Sequence, residues 1–525
     1  MRRLLTLAGL ALLPVLVLGV FFVLPVGGML GQGLWPDGRF DPDSVLEVLG
    51  RDRTHRVVWF TVWSAGLATV VSVLLGMPAA YALHRLDFPG RRAIRAALLV
   101  PFVLPTVVVG VAFRQLFDAT GAVPIIAGLA FFNVAVVIRA VGASWESLDA
   151  RPAEAAAALG ASPRQVFVTV TLPALRPAIV SAASVVFLFC ATSFGVVLTL
   201  GGLRYSSVET EIYYLTTQLL DLPAAAALSI VQLVAITALL AVAARLRAVP
   251  DAGLARQVTR PRRPRIEDAP QLAATAVLLL LVAAPVSALV VGSLRVDDAW
   301  SLGHYRDLGH TATDALVTSL RTAVDATWMS LLLGGLVSLV VTRRSRTRTE
   351  RRARGILDAL FMLPLGVSAV TLGFGFLITL DQPPLDLRDS PLLVPIAQAL
   401  VALPLVVRTL APVLSSIDDR QRQAAASLGA GPLRVLATVD LPVVWKPLLA
   451  AAGFAFAVSL GEFGATSFLA RDEHPTLPVV IFQLIGRPGA DNYGMALAAS
   501  VVLAATTALV MLAVERLRVP SVGAF

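Results

Sequence analysis

A polar segment of this chain occurs twice, and any fold the chain adopts has to present both copies. Residues 147–173 read SLDARPAEAAAALGASPRQVFVTVTLP, and residues 416–442 read SIDDRQRQAAASLGAGPLRVLATVDLP. The same spacing of 269 residues separates Arg139 from Arg408, Asp149 from Asp418, Gly160 from Gly429, Pro173 from Pro442 and Phe194 from Phe463. A register kept over so many positions implies two structural halves with one equivalent loop in each. Both loops are polar islands in an apolar chain, which makes them candidate docking surfaces for something outside a bilayer.

Of the 525 residues, 57% are hydrophobic and 15% charged, against roughly 25% charged in a soluble domain. One large core does not account for that deficit, whereas spans of about 20 apolar residues do. Apolar stretches of that length fall near 4–27, 57–83, 97–117, 122–142, 177–200 and 223–245, and again near 270–293, 323–342, 356–380, 392–413, 448–470 and 493–514. The expected fold is an all-α polytopic membrane protein built from two homologous six-helix bundles. The stretch after Met1-Arg2-Arg3 reads as the first span, being longer than a signal-peptide core. The net charge of +9 does not point to nucleic acid, because the arginines sit in short loops between apolar runs. The lone cysteine, Cys190, lies in an apolar run and reads as a small buried hydrophobe, and no metal site is expected.

Charge orients the spans. Arg2 and Arg3 precede the first, and Arg85, Arg91, Arg92 and Arg95 follow the second. Arg343, Arg344, Arg346, Arg348, Arg351, Arg352 and Arg354 follow the eighth, and Arg516 and Arg518 the last. With both termini cytoplasmic every cluster is inside, and the outer loops carry acids: Asp118, Glu209, Glu211, Asp297, Asp298, Asp381, Asp386 and Asp389. The halves, 1–246 and 271–525, are joined by residues 247–270, rich in Pro and Arg and read as a flexible cytoplasmic linker. Both halves start and end inside, so the repeat is parallel. The compartment this implies is a bacterial plasma (inner) membrane.

In the first loop, Pro152 suits a first helical position, Glu154 a first turn, and the alanines up to Leu159 a helix. Gly160 can end it in the left-handed conformation. Ser162-Pro163 can start a second helix, with Leu172-Pro173 as its expected stop. Taken alone, one such loop is equally an alanine-rich helix pair lying on the membrane. Two at fixed spacing, each between a fourth and a fifth span, read as a duplicated device.

Glu154-Ala155-Ala156, Gly160 and Val170-x-Leu172-Pro173 together resemble the EAA motif in permease subunits of binding-protein-dependent ABC importers. The second loop matches at Ala424, Ala425, Gly429, Val439 and Leu441-Pro442, with Gln423 in place of the acid. The resemblance implies the importer-permease, MetI-like type of fold and a coupling helix in each loop, near 152–163 and 421–432. It implies two copies of an ATPase subunit docked on the cytoplasmic side and an external solute-binding protein. ATP and Mg would be bound by that partner, with no cofactor in this chain. A P-loop needs a lysine before Ser or Thr, and the single lysine, Lys446, stands between Trp445 and Pro447.

The fifth and eleventh spans carry Ser193-Phe194-Gly195 and Glu462-Phe463-Gly464. Glu462 is read as the one acid well inside an apolar stretch, either lining a substrate pathway or paired with Arg408 or Arg139. Within the family these stretches, with 208–213, look closest to fused permeases for thiamine and ferric iron. Permeases for molybdate, sulfate or polyamine are the alternatives. A secondary transporter of the major facilitator type shares the six-plus-six parallel layout but lacks the repeated loop. A membrane enzyme would need clustered catalytic groups, and the five histidines, His55, His84, His304, His310 and His474, form no ligand pair by spacing. An ABC exporter would more often carry its nucleotide domain in cis.

Overall fold

The computed structural model describes residues 2–35, 38–98, 100–202, 204–247, 261–297, 299–343, 347–381, 385–471 and 473–517. Residues 248–260 of the linker, with Asp298, Arg344, Arg346 and Arg518, lie outside the described residues. The described chain is helical apart from one short hairpin pairing Arg295–Val296 with Ala299–Trp300. Among the described residues ten helices are long and apolar enough to cross a membrane, where twelve straight spans were expected. Both third spans are broken at prolines. The first consists of Arg91–Phe102 and Thr106–Phe117, which meet at 101°, with Pro101 and Pro105 at the break. The second is Arg348–Met362, a 3-10 turn Leu363–Gly366 holding Pro364, and Ala369–Thr379. Proline removes a backbone donor and clashes with the preceding turn, so the helix yields there.

The fifth spans also differ from expectation. Helices run over Pro163–Ala191 and Pro432–Leu460, so Leu172-Pro173 does not stop the loop's second helix. A π-helical turn, Phe167–Thr171, precedes Pro173 and recurs as Leu436–Asp440 before Pro442. Its wider i→i+5 bonding accommodates the missing donor without ending the helix. Both helices then break, at Thr192–Phe194 and Gly461–Ala465.

Two short helices, Val208–Thr217 and Leu477–Gly486, occupy what the hydropathy profile leaves as outer loops. Each is anchored by a hydroxyl of a long helix: Thr61 Oγ1 accepts from the Val208 N–H at 3.0 Å, and Ser319 Oγ from the Leu477 N–H at 2.7 Å. Glu209 and Glu211 are therefore not outer-loop acids. They are 0% and 2% exposed. The Arg53 guanidinium grips Glu211 at 2.5 and 2.9 Å, and the Gln232 amide donates to Glu209. A buried carboxylate persists because such partners offset its desolvation.

Two compact units emerge: 1–48, 212–230 and 303–524 form one, and 49–211 with 231–302 the other. They do not follow the sequence halves, because the opening span of each half has changed places. In the first unit, Leu18 and Phe22 enter a core with Leu333, Val337, Phe361 and Phe376. Gly375 lets the Pro25 backbone approach so closely that a Cβ would stand 3.1 Å from its carbonyl oxygen. In the second unit, Ala269–Ser293 packs on Asp52–Arg85 and on Thr106–Phe117. The end of the linker is ordered there as well. Arg262 exchanges backbone bonds with Arg85 (3.0 Å) and Asp87 (2.7 Å), and its guanidinium binds Asp268 at 2.7 and 2.8 Å. That bond holds the Arg262 pKa above its ordinary value. The flexible-linker reading therefore does not hold for the described part of the linker, from residue 261 on.

The long helices cross closely at glycines. A Cβ on Gly76 would stand 2.8 Å from Val137 Cγ1, and one on Gly334 would stand 2.6 Å from Val406 Cγ1, whereas one on neighbouring Gly335 would meet nothing within 4 Å. Valine is stiff at χ1 and yields little. Gly334→Ala is accordingly expected to destabilise the protein by about 2 kcal/mol, and Gly335→Ala to be neutral or stabilising through helix propensity. Thermal unfolding of the two variants in the same detergent checks this; equal melting temperatures would refute the close crossing.

Candidate functional site

The two repeated loops adopt one backbone design. Asp149 Oδ1 accepts from the Arg151 N–H at 3.0 Å, and Asp418 Oδ1 from the Arg420 N–H at 2.9 Å. Short helices follow, Arg151–Ala158 and Asp419–Ser427. Each closes in the same way: Ala161 N–H to the Ala156 carbonyl at 3.1 Å in the first, Ala430 N–H to the Ala425 carbonyl at 3.0 Å in the second. These six-to-one bonds need a left-handed residue just before them. Gly160 and Gly429 supply it, with φ of +89° and +83°. Ser162 then caps the next helix in a capping box with Gln165, while Gly431 stands at the equivalent point with no side-chain cap.

The side chains at the bend face outward. Glu154, Ala155 and Gly160 are exposed, as are Gln423, Ala424 and Gly429, while Ala156 and Ala425 are half-buried. Leu159 and Leu428, just before the glycines, are 90% and 89% exposed. Two large apolar side chains at equivalent solvent-facing tips are the strongest sign of a partner surface on these loops. The motif drew attention to the alanines and the glycine; the leucine signal lay in the same string and needed the exposure to be recognised.

The loops differ in how they are tied down. Arg422 is 8% and Asp440 1% exposed, and they meet at 2.7 Å. Asp440 also receives Arg343 at 2.8 Å, and Arg422 reaches Asp419 at 2.9 Å and the Leu414 carbonyl at 3.1 Å. The first loop has Ala153 and Thr171 where the second has Arg422 and Asp440. The second loop is therefore fastened by a buried ion network that the first does not contain.

The breaks in the fifth spans place the remaining candidates. Ser193 and Phe194 are buried, as are Glu462 and Phe463. The Glu462 carboxylate turns onto its own chain, accepting from the N–H groups of Ala465 (2.8 Å) and Thr466 (3.0 Å) and from Thr466 Oγ1 (2.5 Å). It closes the break before Thr466–Leu469. Phe463 packs on Phe482 with ring centroids 5.6 Å apart, and Tyr213 stands edge-on to Phe468 at 5.3 Å. Phe468 also lines a cavity of about 370 Å³ with Asp381, Arg388, Asp389 and Arg471. Two ion pairs, Arg388–Asp381 and Arg471–Asp389, cross that lining at 2.8 and 2.9 Å.

A duplicated set of apolar helices with a matched, solvent-facing knuckle in each repeat defines a multi-pass membrane permease. The chain belongs to the family described as binding-protein-dependent transport system inner membrane component, whose model matches residues 72–254 and 330–518. It is 31% identical over 456 residues to the thiamine transport system permease protein ThiP of Brucella abortus (strain 2308), covering 82% of each chain. The protein of that name from Escherichia coli (strain K12) is 28% identical over 454 residues, 82% of this chain and 83% of the relative. A solved bacterial ABC transporter involved in the import of the acidic polysaccharide alginate aligns with 48% of this chain at 16% identity and a TM-score of 0.41. The protein is the fused, two-half permease of an ABC importer, a transport component of the inner membrane.

Removing Asp440 leaves the buried Arg422 with the more exposed Asp419 as its one carboxylate partner, whereas removing Arg343, which is 32% exposed, leaves the Arg422–Asp440 pair intact. Asp440→Ala is expected to cost about 3 kcal/mol, and Arg343→Ala less than about 1 kcal/mol. Thermal unfolding, with limited proteolysis of residues 416–442, measures both. Similar losses from the two variants would show that the network is not centred on Asp440.

Proposed function

We propose that this chain is the transmembrane component of a thiamine importer, driven by ATPase subunits that seat on its two knuckles. The substrate assignment is supported by the relatives named as thiamine transport permeases, which align with four-fifths of the chain. The docking assignment rests on one observation, the exposure of Leu159 and Leu428 at 90% and 89% on equivalent glycine-ended helices. In this reading Glu154, Ala155, Ala156 and Gly160, with Gln423, Ala424, Ala425 and Gly429, form the contact with one ATPase copy each. ATP and Mg are held by those subunits, and a solute-binding protein delivers thiamine at the opposite face.

The sequence halves 1–246 and 271–525 are the evolutionary repeats, joined by 247–270, with both termini and both knuckles cytoplasmic. Within its own unit, each fifth-span break presents an aromatic residue, Phe194 or Phe463, to the pathway. Ser193 adds a hydroxyl, and Glu462 braces the break. Gln423 in place of an acid, together with the buried Arg422, makes the two ATPase contacts chemically different. ATP-driven approach of the two subunits moves the knuckles, and the helices Pro163–Ala191 and Pro432–Leu460, continuous with them, carry that motion into the spans.

Expression with a partner ATPase and a thiamine-binding protein should restore growth of a transport-deficient thiamine auxotroph at limiting thiamine. Gly160→Glu combined with Gly429→Glu should weaken ATPase association by about tenfold or more. An L-residue is strained at those φ values, and the new acid lies on the docking face. Neither glycine has a neighbour for a Cβ to meet, so backbone strain is the folding cost, and co-purification is normalised to permease abundance. Undiminished co-purification of the ATPase with the double variant, or no thiamine-dependent growth with the parent chain, would sink the corresponding half of this reading.

A further inference from the structure

The first knuckle lacks the buried ion network of the second, and its two legs meet instead at one side chain. Trp145, 6% exposed, stands near the end of Ala122–Glu146, the helix that leads into the knuckle. Its ring lies 6.4 Å from that of Phe167, with the planes 25° apart. Phe167 opens the π-helical turn on the way out. Aromatic rings at such separations attract beyond the area they bury, so Trp145 ties the entering chain to the leaving chain.

The ordered end of the linker holds Trp145 by two routes. Tyr81 packs on the Trp145 ring at 5.2 Å. Its hydroxyl donates to Asp268 Oδ1 at 2.8 Å and accepts from Arg262 Nη2 at 3.0 Å. Asp268, 2% exposed, takes both prongs of the Arg262 fork and the Arg265 N–H at 2.7 Å. A buried carboxylate met by charged and neutral donors fixes the phenol, and with it the ring face that Trp145 meets. The second route is backbone. Arg262 brackets the end of the second span through Arg85 and Asp87, and Arg85 Nη1 donates to the Trp145 carbonyl at 3.3 Å.

The second half meets the same need without a linker. Its crossing glycine, Gly334, stands 258 residues after Gly76, which aligns Tyr81 with Leu339; the spacing of 269 aligns Trp145 with Leu414 and Phe167 with Leu436. All three aromatic residues are leucines there. The Leu414 carbonyl, equivalent to that of Trp145, accepts from Arg422 at 3.1 Å. The first knuckle has Ala153 where the second has Arg422, so its guanidinium comes from Arg85, beside the Arg262 bridge.

We propose that Arg262, Asp268 and Tyr81 are positioning residues of the first knuckle, acting through Trp145 on how Leu159 is presented to its ATPase subunit. The linker end thereby belongs to the coupling machinery of one half only. This rests on the docking reading above, which gives Leu159 and Leu428 to the ATPase contacts. Asp268 immediately precedes Ala269–Ser293, so the opening span of the second sequence half is tied to the knuckle of the first.

The test uses the full chain with its ATPase partner, with Leu159 or Leu428 replaced, one at a time, by the photo-crosslinking residue p-benzoylphenylalanine. The adduct with the ATPase is measured per permease. Asp268→Ala is expected to lower the adduct from position 159 by about threefold or more and to leave that from position 428 unchanged. Arg262→Met should act in the same direction. Tyr81→Phe, which keeps the ring against Trp145, should lose less than Tyr81→Ala. Asp440→Ala should show the opposite pattern, a loss from position 428 alone. Equal losses from both positions in Asp268→Ala and Arg262→Met would make the clasp a general stabiliser and overturn the proposal, as would no loss from either. Trypsin acting on the permease alone separates the fastening from the docking reading. Cleavage after Arg164 should quicken in Asp268→Ala while cleavage after Arg434 keeps its rate; equal changes at the two sites overturn the fastening. A parent chain that yields no adduct from either position overturns the docking reading, and the trypsin rates then decide the fastening by themselves.

Discussion

Inside a bilayer a backbone N–H or C=O has to find its partner within the protein, because hydrocarbon offers none. Several departures from straight helix in this permease carry a local answer to that constraint. Glu462 accepts the two N–H groups freed at the break before Thr466, and Ser368 Oγ accepts from the Thr371 N–H at 3.0 Å where the second half's third span restarts. Thr61 and Ser319 do the same for the short helices that begin at Val208 and Leu477. The π-helical turns at Phe167–Thr171 and Leu436–Asp440 absorb prolines that would otherwise end the fifth spans. Glu462 is thus an acid that holds a turn through backbone N–H groups.

The same constraint shapes the route from knuckle to membrane. Since neither fifth-span helix ends at its proline, each knuckle continues directly into a helix that crosses the apolar layer. Motion at Gly160 or Gly429 has a continuous hydrogen-bonded rod to follow. The glycines take the left-handed conformation that ends the first helix, and no neighbour within the chain covers them. The leucines beside them stand exposed at both tips.

Duplication left the halves similar in backbone and different in electrostatics. Asp149 and Asp418 accept equivalent backbone N–H bonds at the start of matched helices, and Gly160 and Gly429 end them in one geometry. Yet Arg422 and Asp440 bind the second knuckle through a buried network, where the first has alanine and threonine. In a fused chain each half sees one fixed environment, so the two copies are free to diverge in a way that two identical subunits are not.

The helical class, the parallel duplication and the location of both knuckles were legible in the string, because apolar length, a constant register and Gly-Pro punctuation are local properties. Tertiary structure alone decided the rest. The exchange of opening spans, Phe22 among second-half residues and Ala269–Ser293 among first-half helices, leaves no mark on periodicity. Glu209 and Glu211 read as outer-loop acids because the partner that neutralises Glu211, Arg53, is 158 residues away. That Glu462 braces a turn was not legible either, because its partners there include backbone N–H groups, which nearly every residue has. A sequence states which groups must be satisfied; only the folded chain, by bringing distant segments together, settles which groups satisfy them.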